Sequence, residues 1–328
     1  MMNDKKFFAN LDRGLIIEQN RQNAEVILKN PGKTRIKESD FKDIFDEKTI
    51  TDDSNFVNRL QDKFDSQLRH LDSKSIEKIR DGEKRSEVLE IIIAVDGERY
   101  EWAGDKARLS RTSRFDDLAN GVDIILEFIP GEENNNKNTA DRLALGVDAS
   151  SNGDTYALRE NLERNIQKLS GQKNQKLPEV KYFQSAIDKS NRGQLKNVIP
   201  VVIGLDATHV NELMKICASL RNLTNIKSRE SLKNLGADTE TLQTELEEKL
   251  KNHPAQVVIY RQMVAQLTYY LKILKYTNNP VTDDYKLKIN SILERLYRIK
   301  ESKKNIPINN YADDEVLAAI EEVTSMSS

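Results

Sequence analysis

The chain has 328 residues, of which 38% are hydrophobic and 32% charged, and its mean hydropathy is −0.66. Its 51 Lys and Arg residues nearly balance 53 Asp and Glu residues, so the net charge of −2 gives no bulk attraction to polyanions. The apolar stretches are less than half of the about 20 residues that a transmembrane helix needs, and charges interrupt those near the N-terminus before a signal peptide could form. One cysteine excludes an internal disulfide, and three widely spaced histidines disfavour a zinc site with several histidine ligands. We expect a cytoplasmic protein that does not contact a membrane.

The first third of the chain is predicted to be helical. Residues 1–53 form an N-terminal extension in which short apolar patches alternate with charges, and residues 23–30 predict a short helix. Residues 54–85 are predicted to be helical, because apolar side chains recur four positions apart, and Asp53 and Ser54 are the candidate N-cap. Residues 86–94 fit a strand by composition and a helix by the spacing of their apolar side chains, and we take them as helical.

The middle of the chain predicts a small sheet, with strands at residues 112–117, 122–129 and 142–150. The first strand ends in Asp116 and Asp117, and a polar hairpin loop at residues 132–139 joins the other two. A helix over residues 152–169 and a buried strand over residues 198–205 complete this part of the fold, because a continuous apolar run is typical of a strand covered on both faces.

The C-terminal third is predicted to consist of helices, at residues 206–220, 242–250, 254–276, 283–300 and 313–323. The third of these is so apolar that it must bury most of its surface, against the sheet or in a homodimer through the C-terminal helices. The last is expected to be loosely held. We therefore divide the chain into an N-terminal extension, an α/β core and a helical C-terminal region, at residues 1–53, 54–222 and 223–328.

Two aspartates are predicted to meet at one edge of the sheet. Asp123 begins one strand and Asp148 ends the next. In a hairpin the start of one strand lies beside the end of its partner, so the two carboxylates become neighbours. Mg²⁺ binds proteins through one or two carboxylates and keeps its waters for a phosphate substrate. This edge is therefore a candidate magnesium site.

The predicted order of elements, α-β-β-β-α-β, resembles the core of the PD-(D/E)XK nuclease superfamily. Residues 120–125 (NGVDII) are similar to the Gly-Ile-Asp segment of Mrr-like restriction endonucleases, and Asp148 falls where that superfamily has its (D/E)-x-K motif. Glu90, with Glu87 as the alternative, falls at the position of the superfamily's helix acid. The segments TSRFDDLANGVDIILEF, LALGVDASS, IPVVIGLD and NHPAQ also resemble proteins of candidate-phyla-radiation bacteria that bring no established activity.

The superfamily resemblance implies a restriction-endonuclease-like α/β fold with a helical C-terminal region. It implies Mg²⁺- or Mn²⁺-dependent hydrolysis of phosphodiester bonds, in DNA more than in RNA. The implied metal ligands are Asp123, Asp148 and Glu90, which are also the implied catalytic carboxylates.

The sequence lacks the lysine of the (D/E)-x-K motif, because Ser150 stands in the lysine position. Arg159 on the following helix is the first candidate to supply the missing cation, and Lys168 and Lys181 are the next. If none of them reaches the carboxylates, the protein is a catalytically degenerate member of the fold that binds nucleic acid or acts as a scaffold.

Residues 253–305 form a basic segment with ten Lys or Arg against four Asp or Glu, and with six of the ten tyrosines. Cations that pair with phosphates and rings that stack on bases suit a nucleic-acid surface. The alternative, which we favour, is that the tyrosines are half-buried in helices and the lysines form a solvated face. Neither a P-loop nor a Gly-x-Gly-x-x-Gly fingerprint is present, so a nucleotide-binding function lacks its phosphate cradle.

Overall fold

The computed structural model describes residues 2–129, 143–151, 155–170, 177–228, 237–276, 280–308 and 311–325. The helices are α1 (Met2–Lys29), α2 (Glu47–Leu68), α3 (Ser73–Ile91), α4 (Gly97–Arg99), α5 (Arg114–Asn120), α6 (Thr155–Leu169), α7 (Ala207–Ser228), α8 (Ala237–Lys251), α9 (Ala255–Leu274), α10 (Pro280–Lys303) and α11 (Glu315–Ser325). The strands are β1 (Ala107–Arg111), β2 (Ile124–Phe128), β3 (Ala144–Ser150), β4 (Val180–Gln184), β5 (Arg192–Leu195) and β6 (Ile199–Gly204). A 3₁₀ turn (Glu38–Phe41) precedes α2, and a π-helical segment (Ile92–Asp96) continues α3. The predicted hairpin loop at residues 132–139 lies outside the described residues.

Residues 54–85 are helical as predicted except at residues 69–72, where a break separates α2 from α3, and the predicted N-cap at Asp53 or Ser54 is wrong because α2 begins at Glu47. Asp46 caps α2 by accepting the backbone N–H of Thr49 at 2.7 Å. Asp72 caps α3 by accepting the N–H groups of Lys74 and Ser75. An N-cap aspartate satisfies donors that a helix start leaves free, so Asp72 favours a new start over a continuous helix. The N-terminal helix is also longer than predicted, because α1 extends over Met2–Lys29.

The first strand lies earlier in the chain than predicted. The extended residues are β1, and residues 112–117 contain instead the start of the short helix α5. Ser113 is the reason, because its hydroxyl oxygen accepts the backbone N–H of Asp116 at 3.0 Å and caps this helix. Residues 86–94 are helical, as we took them to be.

A four-stranded mixed sheet stands at the centre of the fold, in the order β1-β2-β3-β6. The pairs β1–β2 and β2–β3 are antiparallel, and β3–β6 is parallel. The predicted strands at residues 122–129, 142–150 and 198–205 are confirmed as β2, β3 and β6. The two-stranded hairpin β4–β5 was not predicted. The chain is thus a mixed α/β protein with a small sheet and a helical C-terminal region.

The two faces of the sheet pack against different elements. Ile124 and Leu126 of β2 face the main apolar core. This core includes Leu89 of α3 and Ile92 of the π-helical segment that continues α3. Ile125 of β2 faces the opposite side, where it packs with residues of the β4–β5 hairpin. Period-two alternation along β2 therefore places α3 on one face and the hairpin on the other.

Helix α9 closes the open edge of the sheet beside β6. Gln266 donates a hydrogen bond to the carbonyl oxygen of Val202 and accepts one from its N–H. Gln262 makes the same pair of hydrogen bonds with Gly204. Both glutamines are fully buried. Their amides replace the strand that would otherwise pair with β6, and so protect an edge that could associate with another chain.

The C-terminal helices pack onto the sheet within the same chain. Helix α9 contacts β6, α10 and α11, and α11 also contacts α6. The expectation that the last helix is loosely held is wrong, because Val316, Leu317 and Ile320 are buried. The homodimer through these helices stays a prediction. None of the helices in the described ranges is long and apolar enough to cross a bilayer.

One apolar core includes residues from all three predicted parts of the chain. Ile27, Val88 and Leu267 belong to the same cluster of buried side chains. The packing joins the three parts through this core. The domain boundaries at residues 53 and 222 stay a prediction.

Candidate metal centre

Three carboxylates converge at the start of β2. Glu90 comes from the last turn of α3, Asp117 from α5, and Asp123 from the residue before β2. One oxygen of each lies within 4.8 Å of one oxygen of the others. Glu90 and Asp123 are buried, and Asp117 is half-buried.

The turn after α5 positions two of these side chains. Gly121 adopts a left-handed conformation with φ 65°, which ends α5 and directs the chain into β2. Asp123 then donates its backbone N–H to the carbonyl oxygen of Val147 at 2.9 Å. Its carboxylate accepts the N–H of Ala149 at 2.8 Å. Asp123 is therefore held by β3 on both its backbone and its side chain.

Three arginines partly neutralise the carboxylates, and one of them, Arg114, lies 2.9 Å from Asp117. Arg35 contacts Glu90 and lies 3.0 Å from Asp117. Arg111 of β1 lies 3.2 Å from the same oxygen of Glu90, Oε2. Within the described chain, the hydrogen bonds and ion pairs of Glu90, Asp117 and Asp123 all use one oxygen, leaving the second oxygen of each without such a contact.

The ionised forms of Glu90 and Asp123 remain unfavourable despite the arginines. Burial raises the pKa of Asp123 well above its ordinary value, and the charges of Glu90, Asp148 and Asp117 raise it further. Burial raises the pKa of Glu90 to about 7, although Arg35 and Arg111 oppose the shift. The arginines therefore do not fully offset the burial of Glu90 and Asp123, and a bound cation would stabilise their ionised forms.

Asp148 lies opposite Asp123 across the β2–β3 hairpin. The pairing of Ile124 with Val147 places the two aspartates directly opposite each other, as the sequence predicted. Asp148 falls outside the set of three converging carboxylates, so a common ion for Asp123 and Asp148 stays a prediction. Within the described chain its carboxylate makes no hydrogen bond and no ion pair.

Asp148 lines a small cleft of about 70 Å³ together with Arg164 and Lys168 of α6. Burial raises the pKa of Asp148 to about 6 and the charge of Asp117 adds to this, whereas Arg164 and Lys168 lower it. The cleft therefore combines a carboxylate that has no hydrogen-bond partner with two cations, which is the chemistry that a phosphate group and its metal require.

The cations proposed to replace the motif lysine lie in different surroundings. Arg159 is half-exposed and its Nε lies 3.5 Å from Glu163 on the same helix. Lys181 pairs with Asp53 and lies over the ring of Phe115. Lys168 is the candidate that lines the cleft of Asp148. Lys168 shares a helix face with Arg164, four residues earlier, whereas Arg159 lies nine residues away on the opposite face of α6.

The neighbouring aspartates of α5 have separate roles, which sequence reasoning did not distinguish. Asp116 is fully buried and accepts the backbone N–H groups of Lys181 and Tyr182, at 2.7 and 3.0 Å. It also accepts the hydroxyl of Ser113 and the side-chain amide of Asn120. Asp116 thus joins α5 to β4, whereas Asp117 joins the carboxylate cluster. The sequence did carry a signal for this difference. Consecutive residues of a helix point about 100° apart, so two adjacent aspartates on a helix contact different neighbours.

Comparisons with protein-family models, with curated proteins and with solved structures gave no match. The resemblance to PD-(D/E)XK nucleases stays a prediction.

The donor set fits a hard divalent cation. Carboxylate oxygens are the ligands that Mg²⁺ and Mn²⁺ prefer, and Glu90, Asp117 and Asp123 each offer one such oxygen to the cluster. Neither histidine nor cysteine belongs to this cluster, which sets it apart from a typical zinc site.

Proposed function

We propose that this protein is a Mg²⁺- or Mn²⁺-dependent nuclease that hydrolyses phosphodiester bonds, in DNA more than in RNA. The observation that carries the proposal is the convergence of Glu90, Asp117 and Asp123 at one sheet edge. We further infer that the core is restriction-endonuclease-like. The order α3, β1, β2, β3, α6, β6 supports this inference, with α5 inserted after β1, the β4–β5 hairpin inserted after α6, and two antiparallel pairs followed by a parallel pair.

In this proposal Asp123, Glu90 and Asp117 hold the metal, with Asp148 beside them. A bound divalent cation lowers the pKa of a water ligand and stabilises charge on a phosphate. Asp148 can accept a proton near neutral pH because its pKa lies at about 6. Lys168 and Arg164 bind the phosphate from the opposite side of the cleft, and take the role that the sequence assigned first to Arg159.

A second candidate function is nucleic-acid binding, or a scaffold role, without cleavage. Ser150 stands in place of the motif lysine. Arg35 bridges Glu90 and Asp117, so the protein already supplies a positive charge where a metal would bind. These two observations support the degenerate site as the alternative to an active one.

A cleavage assay separates the two candidates. We expect the purified protein to cut DNA in the presence of Mg²⁺ or Mn²⁺ and to lose this activity in EDTA. Single- and double-stranded DNA and RNA are incubated with each cation and the products are resolved on denaturing gels. Asp123→Asn protein purified in parallel controls for contaminating nucleases. If no substrate is cut with either cation, the nuclease proposal fails and the binding function is left.

The basic C-terminal segment is a separate candidate surface for the nucleic acid. Tyr260, Tyr270 and Tyr285 are buried, which agrees with the structural alternative for these rings. Tyr276 and Tyr297 are exposed and available for stacking. Arg295 donates to the carbonyl oxygen of Ile129, just after β2, at the sheet edge opposite Asp123. The strand β2 is about 14 Å long, and Ile129 and Asp123 lie at its opposite ends. A nucleic acid would therefore have to extend along the whole strand to contact both surfaces.

We expect the basic segment to contribute to nucleic-acid affinity. Replacing Lys286, Lys288, Arg295 and Arg298 together with glutamine should weaken binding. Every phosphate that no longer pairs with a cation should reduce the slope of log K against log salt by about 0.9 for duplex DNA. Affinity is measured by fluorescence anisotropy at several salt concentrations.

A control variant removes the same amount of charge elsewhere, from four exposed cations near and on α2: Lys42, Lys48, Arg59 and Lys63. An equal change in both variants would show a general charge effect. If the slope is unchanged in the variant that lacks the four cations of α10, those cations form a solvated face and do not bind phosphate.

A further inference from the structure

A second cluster of metal-ligating side chains lies at the end of β6, outside the candidate nuclease site. Asp206 and His209 stand at the start of α7, and Asp314 immediately precedes α11. Each residue offers one potential ligand atom, an imidazole nitrogen or a carboxylate oxygen, and these three atoms lie within 4.8 Å of one another. His209 and Asp314 are buried, and the Asp206 side chain is only 14% exposed.

The backbone fixes both carboxylates without any help from a ligand. Asp206 caps α7 by accepting the N–H groups of Thr208 and His209, at 2.8 and 3.0 Å. Asp314 accepts the N–H of Leu317 at 2.9 Å and that of Asp206 at 2.9 Å. The site is therefore preorganised, which reduces the entropy that a ligand must overcome on binding.

Aromatic stacking fixes the imidazole. The ring of His209 stacks on the ring of Tyr311 with centroids 3.8 Å apart. The Tyr311 hydroxyl donates to Glu212 at 3.0 Å and lies 3.4 Å from His253. The Nδ1 atom of His209 is thus held facing the two aspartates.

The separations match the edge of a metal coordination polyhedron. Nδ1 of His209 lies 3.1 Å from Oδ2 of Asp206 and 2.8 Å from Oδ2 of Asp314. Two neighbouring ligands of an octahedral ion with bonds of about 2.1 Å are about 3.0 Å apart. These separations are also those of a hydrogen-bonded Nδ1–H, so the imidazole must release that proton to the solvent, after which the three atoms can become ligands of one ion with little movement of the chain.

The charges around the cluster favour a cation. The titratable groups that face it are Asp206, Asp314 and Glu212, which are acidic, and His209 and His253. Within the described chain neither aspartate pairs with a lysine or an arginine. The positive ends of α7 and α11 offset part of the negative charge. A protonated His209 offsets more of it, and a bound cation would take its place as the close positive partner that buried carboxylates need.

We propose that Asp206, His209 and Asp314 form a second divalent-cation site, specific for a transition-metal ion such as Mn²⁺ or Zn²⁺. An imidazole with two carboxylates suits these ions better than Mg²⁺ or Ca²⁺. The ion would connect the start of α7 to the start of α11, which are 108 residues apart at Asp206 and Asp314. Its role is to hold the last helix against the sheet.

Pulsed EPR on the full chain loaded with Mn²⁺ tests this site directly. A bound imidazole gives a ¹⁴N modulation in the electron spin echo, and a carboxylate site such as that of Asp123 gives none. We expect the modulation in the wild type, its loss in His209→Asn, and its retention in Asp123→Asn. Asparagine keeps a side-chain N–H near the position of Nδ1 and so preserves the hydrogen bonds to the aspartates.

A second measurement keeps the proposal testable if His209→Asn does not fold. Wild-type protein with ¹⁵N-labelled histidine is titrated with Zn²⁺ while the ring signals of its three histidines are followed by NMR. We expect one buried imidazole to shift by the large amount typical of a metal-bound nitrogen. If no ¹⁴N modulation and no such shift is observed, or if the modulation survives in a folded His209→Asn variant, the proposed site is wrong.

Discussion

Replacing Asp148 with asparagine is expected to abolish metal-dependent cleavage and, at the same time, to make the protein more stable at pH 8. The loss of activity should be on the order of 100-fold or more, because the side chain keeps its shape but loses the charge and basicity that the site uses. The gain in stability follows from burial, because the Asp148 carboxylate has no hydrogen-bond partner in the described chain and its ionised form is unfavourable.

The stability gain should depend on pH. The pKa of Asp148 in the fold, about 6, lies above the ordinary value of 3.8. The folded state therefore binds its proton more tightly, and the stability associated with this proton is lost as the pH rises through about 6. In EDTA, Asp148→Asn should raise the free energy of unfolding by about 1–3 kcal/mol at pH 8 and by less than about 1 kcal/mol at pH 4.

Urea denaturation at the two pH values measures the change in stability, and the cleavage assay measures the change in activity. The exposed residue Asp52 provides a matched control, because Asp52→Asn removes the same charge without affecting a buried site. Full activity in Asp148→Asn would exclude Asp148 from the mechanism. A gain in stability that is equal at pH 4 and pH 8 would contradict the raised pKa.

The largest expected loss of stability comes from the two glutamines that cover β6. Replacing both Gln262 and Gln266 with methionine keeps the length of the side chains but removes four hydrogen bonds to the backbone of Val202 and Gly204. Each buried backbone group left without a partner costs about 1–3 kcal/mol. We expect the double variant to lose about 4 kcal/mol or more of its free energy of unfolding, and each single variant about half of that.

The urea midpoint measures this loss, and size-exclusion chromatography shows whether the uncovered edge of β6 leads to association. Gln22→Met is the matched control, because Gln22 is exposed on α1 and its side chain bonds only Glu18 one turn away. A double variant as stable as the wild type would mean that water or a shifted α9 satisfies the edge of β6 equally well.

Local sequence patterns determined most of the central fold. The apolar runs that became β2, β3 and β6 were predicted within two residues at each end, because period-two patterns and continuous apolar runs are intrinsic to strands. The placement of Asp123 opposite Asp148 followed from the hairpin alone. The C-terminal helices followed from their apolar spacing.

Local competition between capping residues decided the boundaries that were predicted wrongly. Asp72 starts a new helix inside a segment with continuous helical spacing, and Ser113 starts one inside a segment that was read as extended. A single side-chain hydrogen bond to the backbone is worth about 1 kcal/mol. That is enough to move a boundary that the apolar pattern leaves open.

Only the tertiary structure determined the composition of the two candidate metal sites. Arg35 and Glu90 are 55 residues apart in sequence, and Asp206 and Asp314 are 108 apart. Such pairs meet because the core packs α3 onto the sheet and α11 onto β6, which is a non-local result of burying apolar surface. A polar residue carries no sequence pattern that names its distant partner. The sequence alone therefore supplied Asp123 and Asp148, the superfamily resemblance added Glu90, and the fold supplied Arg35 and the cluster of Asp206, His209 and Asp314.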